Sequence, residues 1–157
     1  MNKYEKLIKE WESIPSKNRS GRLAKEMAAT VGMKSMLEVL IAAQLQFLKS
    51  KRKIKSFAYE PERWQYWHKV SHYTPDFKVV YTDDSVDYYE TKGKMTKDVR
   101  TKMIAVKKHN PDKSIKMIFE RANNKIYKGS ETTYGMWCDQ KNIPWSEKEI
   151  LIEWIKK

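Results

Sequence analysis

The segment from Phe77 to Glu120 constrains the fold more than any other. F-K-V-V-Y at Phe77–Tyr81 and V-D-Y-Y-E-T-K at Val86–Lys92 are aromatic and β-branched with partial alternation. T-D-D-S at Thr82–Ser85 is a turn signal, so the two runs read as a β-hairpin. A helix is expected from about Thr96 to His109, with Val99, Met103, Ile104 and Val106 on its apolar face and Asn110-Pro111 to stop it. S-I-K-M-I-F-E at Ser114–Glu120 is apolar at its centre and reads as a buried strand. Strand, helix, strand implies a right-handed parallel crossover beside the antiparallel hairpin. The expected class is α/β, with a mixed central sheet flanked by helices.

The rest of the chain fits around that unit. Tyr4, Leu7, Ile8, Trp11 and Ile14 recur at spacings of three and four and predict a helix over residues 3–14. P-S-K-N-R-S-G at Pro15–Gly21 is a loop, Leu23–Thr30 a second short helix, and Lys34–Lys49 a longer one. The longer helix is marked by Leu37, Leu40, Ile41, Gln44, Leu45 and Leu48, with Ser35 as N-cap and Glu38 three residues on. R-L-A-K-E-M-A-A-T-V-G-M ahead of it has the outline of a helix-turn-helix, but that pattern is permissive and ordinary helix packing is expected. F-A-Y-E and W-Q-Y-W read as strands, and a short helix is expected around Thr133–Gln140 before the tail I-L-I-E-W-I-K-K. A chain of 157 residues fits one domain, here a helical extension over residues 1–30 followed by a compact unit over 31–157.

Charge narrows the partners. Thirty-two Lys and Arg against 20 Asp and Glu leave a net +12, which favours polyanions, nucleic acid first. K-S-K-R-K-I-K at residues 49–55 carries five basic side chains, suited to a helix end or to phosphate contact. An anionic membrane is disfavoured, since no long helix pairs a basic with a bulky apolar face. Val39–Ala43 is the longest apolar run, far below the ~20 residues of a membrane span, and the N-terminus is charged where a signal peptide is apolar. The expected location is intracellular. The single Cys138 closes no internal disulfide, and with Met136 and Trp137 it reads as core. His68, His72 and His109 have no zinc-ligand spacing, and no G-x-x-x-x-G-K-[ST] stretch indicates a nucleotide cofactor. Trp64, Tyr66, Trp67 and Tyr73 suit base stacking, but alternating aromatics in a strand more often make core or dimer contacts.

The chemistry-bearing spacing is Pro75-Asp76 followed by Glu90-Thr91-Lys92. Alternation on a strand puts Glu90 and Lys92 on one face and Thr91 on the other. Asp76 begins the neighbouring strand and falls beside Glu90. Two adjacent carboxylates ask for a cation, and Mg²⁺ accepts one or two carboxylates while keeping waters and phosphate oxygens. Lys92 would face the same point and orient or help deprotonate a water, the logic of metal-assisted phosphodiester hydrolysis. Gly93 adds room for a bulky polymer. With 13 Glu and 26 Lys, E-x-K also arises by chance, and an exposed hairpin with a cross-strand ion pair would look the same.

Several longer words occur in order: S-x-L-E at Ser35–Glu38, Y-T-P-D-F at Tyr73–Phe77, E-T-K-G at Glu90–Gly93 and Y-K-G-S-x-T-x-Y-G at Tyr127–Gly135. Together they resemble phage endonuclease I, the Holliday-junction resolvase family of podophages related to coliphage T-seven. The similarity runs from about Lys34 to Ile155. It implies a restriction-endonuclease-like core, with the nuclease domain over residues 31–157, and an intertwined homodimer acting on branched DNA in the cytoplasm of an infected bacterial host. It also implies two Mg²⁺ ions per site, with Mn²⁺ able to substitute. Asp76 and Glu90 match the metal-binding carboxylates, Lys92 the catalytic lysine, and Glu38 the upstream helix glutamate that completes the two-metal site. Thr91 matches the residue whose backbone carbonyl helps hold metal. The resemblance further implies that Glu38 comes from one chain and the other residues from its partner, across a bridge around Trp64–Ser71. Against the family pattern the hairpin is longer, the bridge slightly shorter, and the N-terminus carries an extra helical stretch before Glu38. Two alternatives stand beside a junction resolvase: a site-specific nicking or homing-type endonuclease on the same core, and a non-catalytic basic DNA-binding protein.

Overall fold

The computed structural model describes residues 1–66 and 71–155. Each α-helix among them starts on a polar side-chain cap. The helices are α1 (Lys3–Ser13), α2 (Gly21–Ala29), α3 (Met36–Ser50), α4 (Lys97–His109) and α5 (Tyr134–Gln140), capped by Asn2, Ser20, Ser35, Thr96 and Thr133. Asn2 and Glu5 close a reciprocal capping box on α1. α1 begins where periodicity places it, and the other four helices begin one or two residues away, because the caps set their starts.

The strands are β1 (Ile54–Tyr59), β2 (Trp64–Tyr66), β3 (Ser71–Tyr73), β4 (Phe77–Tyr81), β5 (Val86–Lys92), β6 (Ile115–Phe119) and β7 (Trp145–Glu147). Five form one sheet in the order β1-β4-β5-β6-β7, and β2 with β3 form a separate antiparallel ladder. β1, β4 and β5 are antiparallel neighbours, while β5–β6 and β6–β7 are parallel. The sheet is mixed, as expected, with α4 and α5 in the two parallel crossovers. The strands β3 and β7 are additions to the sequence reading; at three residues each they are too short to show a period.

Both sheet faces are covered. Leu7, Met27, Ile41 and Leu45 from α1–α3 pack on one face with Phe77, Val79, Tyr89 and Ile118. Met103 and Val106 of α4, with Trp137 and Cys138 of α5, pack on the other with Tyr88, Met117 and Phe119. This double cover is why β6 is apolar nearly throughout. Residues 1–30 share the first core through Leu7, Met27 and Ala28. The helices α1 and α2 pack against α3, which buries Val39, Ile41, Ala42, Ala43 and Leu45. Ile104 departs from its expected place on the α4 apolar face and is 44% exposed. Cys138 is buried with its Sγ 3.9 Å from Met117 Sδ, and burial pushes its thiol up to about 12, which makes it inert packing. At Gly135 a Cβ would lie 2.4 Å from the Trp145 ring, so α5 can approach β7 only with glycine there.

The basic run at residues 49–55 spans the end of α3 and the turn into β1. Ile54 pairs with Tyr81 beside the hairpin turn, whereas Tyr59 pairs with Phe77 next to Asp76. The run therefore sits at the opposite end of the sheet from Asp76, roughly 15 Å away at ~3.3 Å per strand residue.

Candidate active site

Register places the carboxylates. Phe77 pairs with Tyr89, so Asp76, one residue before β4, falls beside Glu90. Glu90 and Lys92 turn into a cleft of about 410 Å³ that Glu38 and Asp76 also line. Glu38 stands in the first turn of α3, which packs against β1 and β5. All four side chains come from one chain. Thr91 faces away from the cleft, as alternation requires, yet its N–H and hydroxyl both donate to Asp76 Oδ2, at 2.7 and 2.8 Å. Its carbonyl accepts from Lys92 Nζ at 3.1 Å. Gly93 is exposed, with Glu120 Oε2 3.3 Å from where a Cβ would sit.

Glu38 and Glu90 are each held by a tyrosine that the sequence reading did not assign to the site. Tyr59 donates to Glu38 Oε2 at 2.7 Å, and the same oxygen accepts the Lys34 N–H at 2.7 Å. Ser35 caps Glu38 N–H at 3.2 Å, but the returning carboxylate reaches Lys34 instead of Ser35. Tyr73 donates to Glu90 Oε2 at 2.5 Å, and Lys92 pairs with Glu90 Oε1. Tyr73 belongs to the Y-T-P-D-F word, which was the available signal. Tyr59 had none, since it meets Glu38 through tertiary packing, whereas the Lys34 N–H lies only four residues from Glu38 and is met locally, at the start of α3. Exposed His72 on β3 also lines the cleft, while Trp67 and His68 lie outside the described residues.

The electrostatics are those of a crowded anionic site. Burial and then the neighbouring Glu90 charge push Asp76 up to about 7, against the pull of Lys92 and the Thr91 hydrogen bonds. Burial pulls the Lys92 ammonium down, but Glu90 and Asp76 outweigh it and leave it above its ordinary value. Burial and then Glu90 hold the Tyr73 hydroxyl well above its usual range, so it stays a donor. Among the described residues no three of His, Cys, Asp and Glu converge closely enough to hold a metal ion unaided. Glu38, Asp76 and Glu90 nevertheless line the same cleft, and the Lys92 ammonium partners Glu90. That hard-oxygen set suits Mg²⁺ or Mn²⁺.

The profile of the phage endonuclease I family matches residues 20–157. The chain belongs to that family. Endonuclease I of Escherichia phage T7 is 31% identical over 142 residues, spanning 88% of each chain. Endodeoxyribonuclease 1 of Enterobacteria phage T3 is 29% identical over 107 residues, covering 66% of this chain and 68% of that one. The family match contains Glu38, Asp76, Glu90, Thr91 and Lys92, while all of α1 precedes it. No helix among the described residues is long and apolar enough to cross a membrane.

Proposed function

We propose that this chain is a Mg²⁺-dependent endonuclease that resolves four-way junctions and other branched DNA as a homodimer. Membership of its family makes it a DNA endonuclease. The observation that carries the metal dependence is Asp76, pushed up to about 7 by burial and by Glu90 in a cleft shared with Glu38. Glu38, Asp76 and Glu90 would hold up to two ions, with Mn²⁺ substituting and the Thr91 carbonyl as a further ligand. When bound, Mg²⁺ supplies charge that neutralises the scissile phosphate and acidifies water. Tyr73 and Tyr59 fix the aim of Glu90 and Glu38, as second partners of ligands do. Lys92, once released from Glu90, orients the attacking water or steadies the phosphate.

A direct test compares a four-way junction with linear duplex of the same sequence. The junction is expected to bind about tenfold or more tightly, to be cut only with Mg²⁺ or Mn²⁺, and to lose affinity steeply with salt. Equal binding and cutting of linear duplex would favour the site-specific alternative; absence of metal-dependent nicking would leave the basic DNA-binding protein.

The Asp76 shift has a sign that calorimetry can read. Between its ordinary value of 3.8 and about 7 the folded, metal-free chain keeps a proton that the unfolded chain releases. Stability from this group therefore falls as pH rises through that window, by on the order of 2 kcal/mol after solvent screening, and the full cost stands above it. Metal-free protein should melt lower at pH 8 than at pH 5.5, and Asp76→Asn should remove that part of the slope. Added Mg²⁺ should raise the melting temperature at pH 8 and do little at pH 5.5. An equal Mg²⁺ shift at both pH values would contradict the assignment of Asp76 as a ligand.

A further inference from the structure

The N-terminal helices do more than cover the sheet. Between α1, α2 and α3 runs a groove of about 520 Å³ whose inner end is Thr91 and Gly93, at the close of β5. Its apolar wall is half-buried Trp11 of α1 with Leu37 and Leu40 of α3. Its rim carries Arg19, Lys25 and Lys148 against Glu12 and Glu120, with Lys34 paired to Glu60, which leaves one positive charge in excess.

Two features tie this groove to the catalytic cleft. Lys34 lines both, and the cleft's Glu90 and Lys92 alternate along β5 with the groove's Thr91 and Gly93. A polymer that passed from the cleft over the end of β5 would meet the groove. The Arg19 side chain and the Lys148 backbone are also held in place. Arg19 lies over the Trp11 ring at 5.6 Å and donates to the carbonyls of Glu12 and Ile14, at 2.7 and 2.8 Å, which leaves its charge uncancelled. The backbone at Lys148 is pinned to α3 by Gln44, whose amide donates to the Lys148 carbonyl at 2.9 Å and accepts from Ile150 N–H at 2.9 Å.

We propose that this groove is a subsite for the DNA strand next to the scissile phosphate, with Trp11 offering its ring to a nucleobase and Arg19, Lys25 and Lys148 taking the flanking phosphates. The subsite rests on the nuclease reading above and extends it to residues outside the family match, which begins at residue 20 and so omits Trp11 and Arg19. An aromatic face with a basic rim is the general solution for holding single-stranded nucleic acid without reading its sequence.

The test uses the full chain in EDTA, so that binding is read without cutting. A junction carrying 5-bromodeoxyuridine one to four nucleotides from the cut position is irradiated, and cross-linked peptides are mapped. Cross-links in the segment 5–25 are expected from these positions and not from the arm ends. Arg19→Glu with Lys148→Glu should weaken junction binding about tenfold or more and lower the slope of log affinity against log salt by about two. Trp11→Ala should weaken binding further, with Trp11→Phe recovering most of it. Circular dichroism identifies any variant that fails to fold, and the cross-linking on the unaltered chain stands regardless. Normal junction cutting by wild type in Mg²⁺, with no cross-link in 5–25 and an unchanged salt slope in a folded double variant, overturns the subsite and leaves the nuclease reading intact. Failure of wild type to cut any DNA would instead remove the nuclease reading. Cross-links that arise equally from every arm position would mean general electrostatic contact and would also overturn the subsite.

Discussion

Glu90→Gln is expected to lower the cleavage rate at least ~10²-fold while junction affinity holds or rises slightly. The substitution preserves size and can still accept from Tyr73, so the fold has no reason to change. It removes the negative charge that pairs with Lys92 and raises Asp76. Losing that charge weakens a cation site and lessens repulsion of an incoming phosphate, which moves catalysis and binding in opposite directions. Lys92→Ala should behave alike in catalysis, because its ammonium is the one cation found paired with Glu90 among the described residues. Tyr73→Phe should fall between, losing about tenfold, since it deletes only the hydroxyl that aims Glu90. Single-turnover cleavage and gel-shift measurements on the same junction separate the two effects. Wild-type cleavage by Glu90→Gln would remove this residue from the site, and an equal loss of cutting and binding would make its role structural.

The part of the site that was legible in the sequence is the part made by local rules. A turn signal at Thr82–Ser85 between two runs of strand residues sets the hairpin register, and that register alone brings Asp76 beside Glu90. Period-two alternation then puts Lys92 with Glu90 and leaves Thr91 on the far side. The presence of α4, and its stop at Asn110-Pro111, follow from the same kind of local signal. What was not legible depends on contacts between distant elements. Tyr59 reaches Glu38 across 21 positions, and Gln44 reaches Lys148 across 104, with no pattern in the chain to announce either. Ile104 obeyed the helical period and still faces solvent, because the sheet beneath α4 takes Met103 and Val106 and leaves no room for a wider stripe. The basic run at residues 49–55 was read by composition alone, and only the register of β1 on β4 reveals that it sits away from the carboxylates.

Co-expression of a Glu38→Ala chain with a Glu90→Ala chain is expected to restore cutting that neither parent shows. In the single chain, Glu38 shares a cleft with its own Asp76, Glu90 and Lys92. The exchanged homodimer proposed from the family resemblance would fill the same cleft with Glu38 of the partner. The link between the two halves runs through β2 and β3, a three-residue ladder, so opening it sacrifices few backbone hydrogen bonds. Because β1 follows α3 directly and pairs with β4, an exchange that carries Glu38 across must carry β1 with it. The full sheet is then rebuilt in each half with the same contacts. The two arrangements give opposite results in a mixed dimer purified by two tags. With exchange, both lesions fall into one site, and the other pairs an intact Glu38 with an intact Glu90. Such a dimer nicks one strand per junction. Without exchange, each site carries one lesion and the mixed dimer is as inactive as its parents. Nicking at a level well above both parental homodimers supports exchange, whereas an inactive mixed dimer that still binds the junction shows that each chain closes its own site.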